Sequence, residues 1–206
     1  MTVIGITGPT GAGKTTALTA LERLGFQVVD CDALYYRMLD RDQTLREGIQ
    51  KAFGPVFLQD GKLDRSALGN IVFGDPAALD RLNALVYPAM HTAVGQIIKN
   101  CTCKGVVIDA INLIESGLGD LCDWTVALTA APDIRLRRIM VRDGISEERA
   151  RARMAAQKPD KFYRKHCTFL LENRAGSKAE FDRLIYDFFA DLLCEDIKEW
   201  RTMDNK

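Results

Sequence analysis

The sequence predicts an α/β fold: a parallel five-stranded sheet covered by helices on both faces. Three observations lead there. Short apolar runs alternate with longer stretches of helical periodicity, the pattern of strand–helix–strand crossovers. The first apolar run passes straight into a glycine-rich turn and then an amphipathic helix. A stretch of roughly 70 residues in the first half is mostly helical and holds no strong strand run, so it reads as an insertion into the core.

The elements follow in order. Residues 3–7 are apolar enough for a buried strand, and 14–24 carry Ala17, Leu18, Leu21 and Leu24 at helical spacing. Gly25 is a natural helix stop, because glycine enters the left-handed region cheaply. A second strand at 26–29 ends at Asp30. In the helical stretch, residues 59–62 read as a tight turn, Asp64 as a cap, and Asp75-Pro76 as a cap with proline at the first helical position. Pro88 is expected to break or kink the helix that starts there. Strands resume at 105–108, ending at Asp109, and at 125–129. A basic helix runs from Pro132 to about Arg142, and Ser146 opens another that ends near Gln157. Residues 158–165 carry four positive charges and no obvious core face. A last strand at 168–171 precedes a helix opened by the capping-box sequence Ser177-Lys-Ala-Glu180.

Composition excludes several classes. The 206 residues hold 28 basic and 28 acidic side chains, which argues against a nucleic-acid binder relying on bulk positive charge. No run approaches the ~18 apolar residues of a membrane span, and the start has neither the basic region nor the cleavage site of a signal peptide. The six cysteines form no CxxC pair and read as reduced thiols of a cytoplasmic protein. His91 and His166 read as surface or structural histidines. Trp124 and Trp200 read as packing residues, and Phe181, Tyr186, Phe188 and Phe189 as helix core.

The chemistry concentrates in one motif. Gly8-Pro9-Thr10-Gly11-Ala12-Gly13-Lys14-Thr15 matches G-x-x-x-x-G-K-[ST] in full, between a strand and a helix. In such a P-loop the glycines let successive backbone N–H groups turn around an anion, and the helix N-terminus adds partial positive charge. Lys14 is the point charge for the β- and γ-phosphates, and the Thr15 hydroxyl is placed for Mg²⁺. Gly8, Thr10, Gly11, Ala12, Gly13, Lys14, Thr15 and Thr16 are therefore the candidate ATP-binding residues. No N-K-x-D guanine-reading motif is present, and the size and helical insertion favour a small kinase of P-loop NTPase fold.

Around the motif stand carboxylates and arginines. Asp30 and Asp32 follow the second strand, where ligands of open α/β sheets bind. Two roles stay open for Asp32: handling the proton of an acceptor hydroxyl, or capping the next helix. Asp109 ends an apolar strand as a Walker-B carboxylate does and is a candidate Mg²⁺ ligand, with Glu115 a candidate for the acceptor side. Arg135, Arg137, Arg138 and Arg142 share one helix. They form either a solvated face or a set of guanidinium groups over the transferring phosphoryl group.

Together these residues carry a family resemblance. After the P-loop come Leu24-Gly25 through Asp30-Cys31-Asp32, then Phe53-Gly54, then Asp60-Gly61-Lys62-Leu63-Asp64-Arg65. Leu68 to Asp75 with Val72-Phe73, then Arg138, Arg142-Asp143, Gln157, and Asn173 followed by Gly176 complete the pattern. Over about residues 3 to 185 the order resembles dephospho-CoA kinase. The resemblance implies transfer of the ATP γ-phosphate to the 3′-hydroxyl of dephospho-CoA. It implies Asp32 as the base, Lys14 and Thr15 at phosphate and Mg²⁺, Thr10 near the acceptor, and Arg138 and Arg142 as lid arginines. It implies a core of residues 1–32, 105–140 and 167–206, a helical CoA-binding region at 33–104 and a lid at 141–166. Small-molecule substrates are expected, with no nucleic acid or membrane partner. The chain departs from the family's usual residues at Tyr87 (for His), Ile111 (for Pro) and Cys167-Thr168 (for Ala-Asp). A kinase for another nucleotide-like or sugar alcohol, and an ATP-binding regulator without catalysis, are the alternatives.

Overall fold

The computed structural model describes residues 1–194. In chain order the elements are β1 (Thr2–Thr7), α1 (Lys14–Arg23), β2 (Phe26–Asp30), α2 (Cys31–Arg41), α3 (Gln43–Phe53), α4 (Arg65–Val72), α5 (Pro76–Asn100) and β3 (Gly105–Asp109). There follow β4 (Trp124–Thr129), α6 (Pro132–Asp143), α7 (Glu147–Ala155), α8 (Asp160–His166), β5 (Phe169–Glu172) and α9 (Lys178–Leu193). The five strands pair in parallel in the order β2-β3-β1-β4-β5. β1 thus sits between the strand that ends the helical insertion and the strand that follows it. The segments leaving the carboxyl ends of β1, β2 and β3 gather at one end of the sheet, and the register sets Asp109 opposite both Ile6 and Asp30.

Alternation along the strands divides the core in two. Val3, Val29, Val106 and Ile108 face the helical insertion, where Leu34, Leu39, Ile49, Leu68, Val86 and Met90 cover them. Ile4, Ile6, Val107, Val126 and Leu128 face the other way, onto Ala17 and Leu21 of α1 and Phe181, Ile185 and Phe189 of α9. Trp124 packs at the margin of this second layer, and Tyr186 and Phe188 flank it. Trp200 lies outside the described residues.

Short-range signals account for the helix ends. The carboxylates of Asp64 and Asp75 accept from the amides of Ala67 and Ala77, each at 2.9 Å. Such caps contribute about 1 kcal/mol each. The Ser177 hydroxyl accepts from Glu180 N at 3.1 Å, while the Glu180 carboxylate reaches Gly176 N at 2.8 Å, one residue earlier than in a standard capping box. The turn at residues 59–62 is present, with Gly61 at φ 81.

Two expectations are corrected. Pro88 does not end its helix: α5 continues through it to Asn100. Ala78, Val86, Met90 and Val94 are buried on both sides of the proline. Their packing offsets the ~3 kcal/mol that an interior proline costs, and Thr92 Oγ1 donates to the Pro88 carbonyl at 3.0 Å. The polar segment at 158–165 also has a core face. It folds as α8 with Tyr163 buried, a single aromatic anchor that leaves no periodic pattern to read.

Candidate active site

The P-loop is shaped from behind as well as by its own glycines. Gly8 has φ +126, and a Cβ there would stand 2.1 Å from the Leu128 carbonyl oxygen, so both conformation and space demand glycine. From residue 8 to 12 each carbonyl accepts a hydrogen bond from the protein. The donors are Lys14 Nζ to Gly8 (2.7 Å), Ala12 N to Pro9 (3.3 Å), Arg135 Nε to Thr10 (3.0 Å), Arg138 Nη1 to Gly11 (3.1 Å) and Asn173 Nδ2 to Ala12 (3.1 Å). With the carbonyls engaged, the α1 N-terminus presents the amides that a helix leaves without intrahelical partners.

In front of this end lies a cavity of about 650 Å³ lined by Thr10, Gly11, Gly13, Lys14, Thr15, Asp32, Asp109, Ile111, Arg137, Arg138, Val141 and Arg142. Gly8, Ala12 and Thr16 are not among its lining residues. Burial lowers the Lys14 pKa, an effect opposed by Asp109 and Asp32 and reinforced by Arg142 and Arg135. Burial raises Asp109 to about 6, with Asp30 and Asp32 pushing the same way and Lys14 pulling back.

That shift has a consequence for stability. An acid whose pKa is raised by folding holds its proton more tightly when folded, so its contribution is complete below the unfolded value of 3.8 and is lost as pH rises through about 6. With chelator present, Asp109→Asn is therefore expected to melt at a higher temperature than the wild type at pH 8. The gap should close as pH falls below about 4, and melting curves across that range check it. A variant equal to the wild type at all pH values would contradict the burial of this charge.

The structure divides Asp30 from Asp32. Asp30 Oδ1 accepts from Ala33 N at 2.8 Å and caps α2. Asp32 lies in the first turn, free of that duty, and its side chain reaches the cleft. Partial desolvation there raises its pKa, Asp30 adds to the rise, and Lys14 opposes it. Asp32 also lines a second cavity of about 220 Å³ with Cys31, Tyr35, Leu82, Asn83, Val86, Tyr87, Met90, Asn112 and Leu118. Among the described residues only Asp32 and Ile111 stand in the walls of both cavities. Burial pushes the Cys31 thiol up to about 12, so it is no nucleophile at neutral pH.

The P-loop, an adjoining carboxylate and a second cavity beside it describe a kinase, and comparison with known proteins says which. Residues 2–179 match the family model for dephospho-CoA kinase. The chain belongs to the dephospho-CoA kinase family. It is 36% identical to the dephospho-CoA kinase of Geobacillus kaustophilus, over 98% of both chains, and 34% identical to that of Geobacter sulfurreducens, over 92% of this chain and 98% of the relative. A Thermus thermophilus protein of known structure superposes with a TM-score of 0.77 at 34% identity, covering 93% of this chain and 97% of its own. The dephospho-CoA kinase from Campylobacter jejuni gives 0.67 at 25% identity, covering 92% and 96%. A shikimate kinase from Bacteroides thetaiotaomicron, at 14% identity and a TM-score of 0.56 over 93% of this chain and 98% of its own, shares the fold. This kinase accordingly phosphorylates dephospho-CoA with ATP in the formation of coenzyme A.

The arginines of α6 separate. Arg135 is 7% exposed and faces the back of the P-loop. Arg138 lies along Gly11 and Arg142 is forked onto Asp143 at 2.7 and 2.9 Å, yet both line the larger cavity. Arg153 binds the same Asp143 carboxylate. Glu147 pairs with Arg151, not with α6, and Glu115 lies 3.8 Å from Lys158. The Thr10 hydroxyl is turned to Gln157.

The departures from the family pattern fall in two places. Tyr87 and Ile111 line the second cavity, where burial and the Glu115 charge raise the Tyr87 pKa and Asn112 opposes the rise. Thr168 instead joins strands: its amide donates to Thr125 Oγ1 at 2.9 Å, and Thr125 N donates to Thr168 Oγ1 at 3.2 Å. The sequence reading missed Tyr35, Leu82, Asn83 and Met90 as cavity residues. For the last three the signal was the spacing 82, 83, 86, 87, 90 along one face of α5, whereas Tyr35 lies on α2. His91 and His166 are exposed, the latter against the Phe162 ring at 4.7 Å.

Proposed function

We propose that ATP lies with its phosphates in the P-loop cavity, that the ribose of dephospho-CoA enters the second cavity, and that Asp32 takes the proton of the 3′-hydroxyl between them. The observation that carries this is the place of Asp32 in both cavity walls. As the hydroxyl oxygen bonds to the γ-phosphorus, the bond from that phosphorus to the β,γ-bridging oxygen breaks. ADP leaves, and the hydroxyl proton passes to the carboxylate. A raised pKa makes Asp32 a better proton acceptor than an ordinary aspartate. Lys14, Arg138 and Arg142 supply positive charge where negative charge spreads over the phosphoryl oxygens. The backbone amides of the loop supply orientation.

The donors at this spot fit Mg²⁺. Thr15 and Asp109 offer hard oxygens, and among the described residues no cluster of three or more His, Cys, Asp or Glu forms a cage. Mg²⁺ is ordinarily held by one or two carboxylates together with substrate phosphates. When bound it neutralises charge on the phosphates. In this reading residues 33–104 form the acceptor region, 141–166 the lid, and the remainder the core. Six free cysteines suit a reducing cytoplasm, and among the described residues no helix is long and apolar enough to cross a membrane.

The test is an ADP-release assay coupled to product analysis, run across dephospho-CoA, adenosine, pantetheine and simple sugar alcohols. Dephospho-CoA should exceed every other acceptor in kcat/KM by about 10²-fold or more, since a site built to bind the whole molecule rejects its fragments. Equal turnover of adenosine would show that the second cavity does not read the acceptor.

A further inference from the structure

Thr10 is held by residues far from it in the chain. Its amide donates to Gln157 Oε1 at 3.2 Å, and its hydroxyl accepts from Gln157 Nε2 at 2.6 Å. Its carbonyl accepts from Arg135 Nε at 3.0 Å, and Arg135 Nη2 donates to Gln157 Oε1 at 2.8 Å. Every polar atom of Thr10 is thus bound within a triangle of Thr10, Arg135 and Gln157. Gln157 stands just beyond the end of α7, between that helix and α8. Both ends of its amide are used, which neither a carboxylate nor an apolar side chain reproduces.

Two corners of the triangle sit behind the phosphate cavity: Thr10 lines the cavity, whereas Arg135 and Gln157 do not. The loop has little room to shift, because a Cβ on Gly11 would stand 3.0 Å from the Arg135 carbonyl oxygen. Arg135 also contributes positive charge felt at Lys14. Asp160 and Tyr163, both on α8, are the charged and titratable groups that act back on this guanidinium.

We propose that Gln157 is a positioning residue for ATP: it fixes the first turn of the P-loop through Thr10 and ties that turn to the 147–166 segment, so that binding of the phosphates and ordering of that segment are one event. This rests on the reading of the larger cavity as the phosphate site. It adds a residue that touches neither substrate nor metal.

The experiment compares Gln157→Ala, Thr10→Val and the double variant in steady state. It adds titration with a non-hydrolysable ATP analogue and hydrogen exchange over 147–166 with and without that analogue. Gln157→Ala should raise KM for ATP about tenfold, with kcat within about threefold and KM for dephospho-CoA unchanged, the signature of lost uniform binding. The analogue should protect 147–166 in the wild type and much less in the variant. Thr10→Val, nearly isosteric and exposed to little folding risk, should shift ATP affinity in the same direction, and the double variant should be no worse than Gln157→Ala, because both act through one contact. A lowered melting temperature with KM for ATP and protection unchanged would reduce Gln157 to a structural residue and overturn the proposal, as would fully additive effects. Absence of analogue binding in the wild type would instead overturn the reading of the cavity.

Discussion

Asp32→Asn should lower kcat by about 10²-fold or more, in line with the usual size of a lost general base, while ATP affinity stays near that of the wild type. Asparagine keeps the size and place of the side chain and removes its capacity to accept the proton. Asp32 makes no hydrogen bond that holds α2 together, because Asp30 is the cap. The substitution also removes the repulsion between Asp30 and Asp32 that helps to raise the Asp32 pKa, so no loss of fold is expected. Steady-state rates, with analogue titration and a melting curve on the same preparation, separate chemistry from binding and stability. Turnover near the wild-type rate would remove Asp32 as base and leave positioning and charge as the source of the rate.

Lys14→Met should cut kcat/KM for ATP by about 10²- to 10³-fold, the effect of removing one preorganised donor from developing negative charge. Methionine keeps most of the apolar stem. The Lys14 ammonium carries its charge at a cost, since burial lowers its pKa, so the variant gives up an unfavourable desolvation and should remain folded. The Gly8 carbonyl loses its partner. KM for dephospho-CoA should change little, because Lys14 does not line the second cavity. An ATP titration at saturating acceptor checks this. An unchanged kcat/KM for ATP would mean that the phosphates bind elsewhere.

Contiguous signals were the legible ones. The P-loop is a single run of residues between a strand and a helix, so its chemistry is written in order. The caps at Asp64, Asp75, Ser146 and Ser177 act over two or three residues and needed no fold to be read. Pro88 and α8 went the other way for one reason: tertiary burial outweighed local preference. The buried residues around Pro88 hold α5 together, and one buried tyrosine gives α8 a core face. The second cavity was hidden because its wall joins α2, α5 and the segment after β3, which are distant in sequence.

Local order along the chain was enough to determine a parallel α/β sheet, a glycine-rich turn with its lysine and threonine between β1 and α1, and the carboxylates at the strand ends, because periodicity, glycine and capping act within a few residues. Tertiary structure alone decided the division of labour among like residues. Asp30 caps a helix while Asp32 faces two cavities. Arg135 is buried behind the loop while Arg138 and Arg142 line its front. Identical side chains differ only through what surrounds them, and burial, register and neighbouring charge exist once the sheet has brought distant segments to one end.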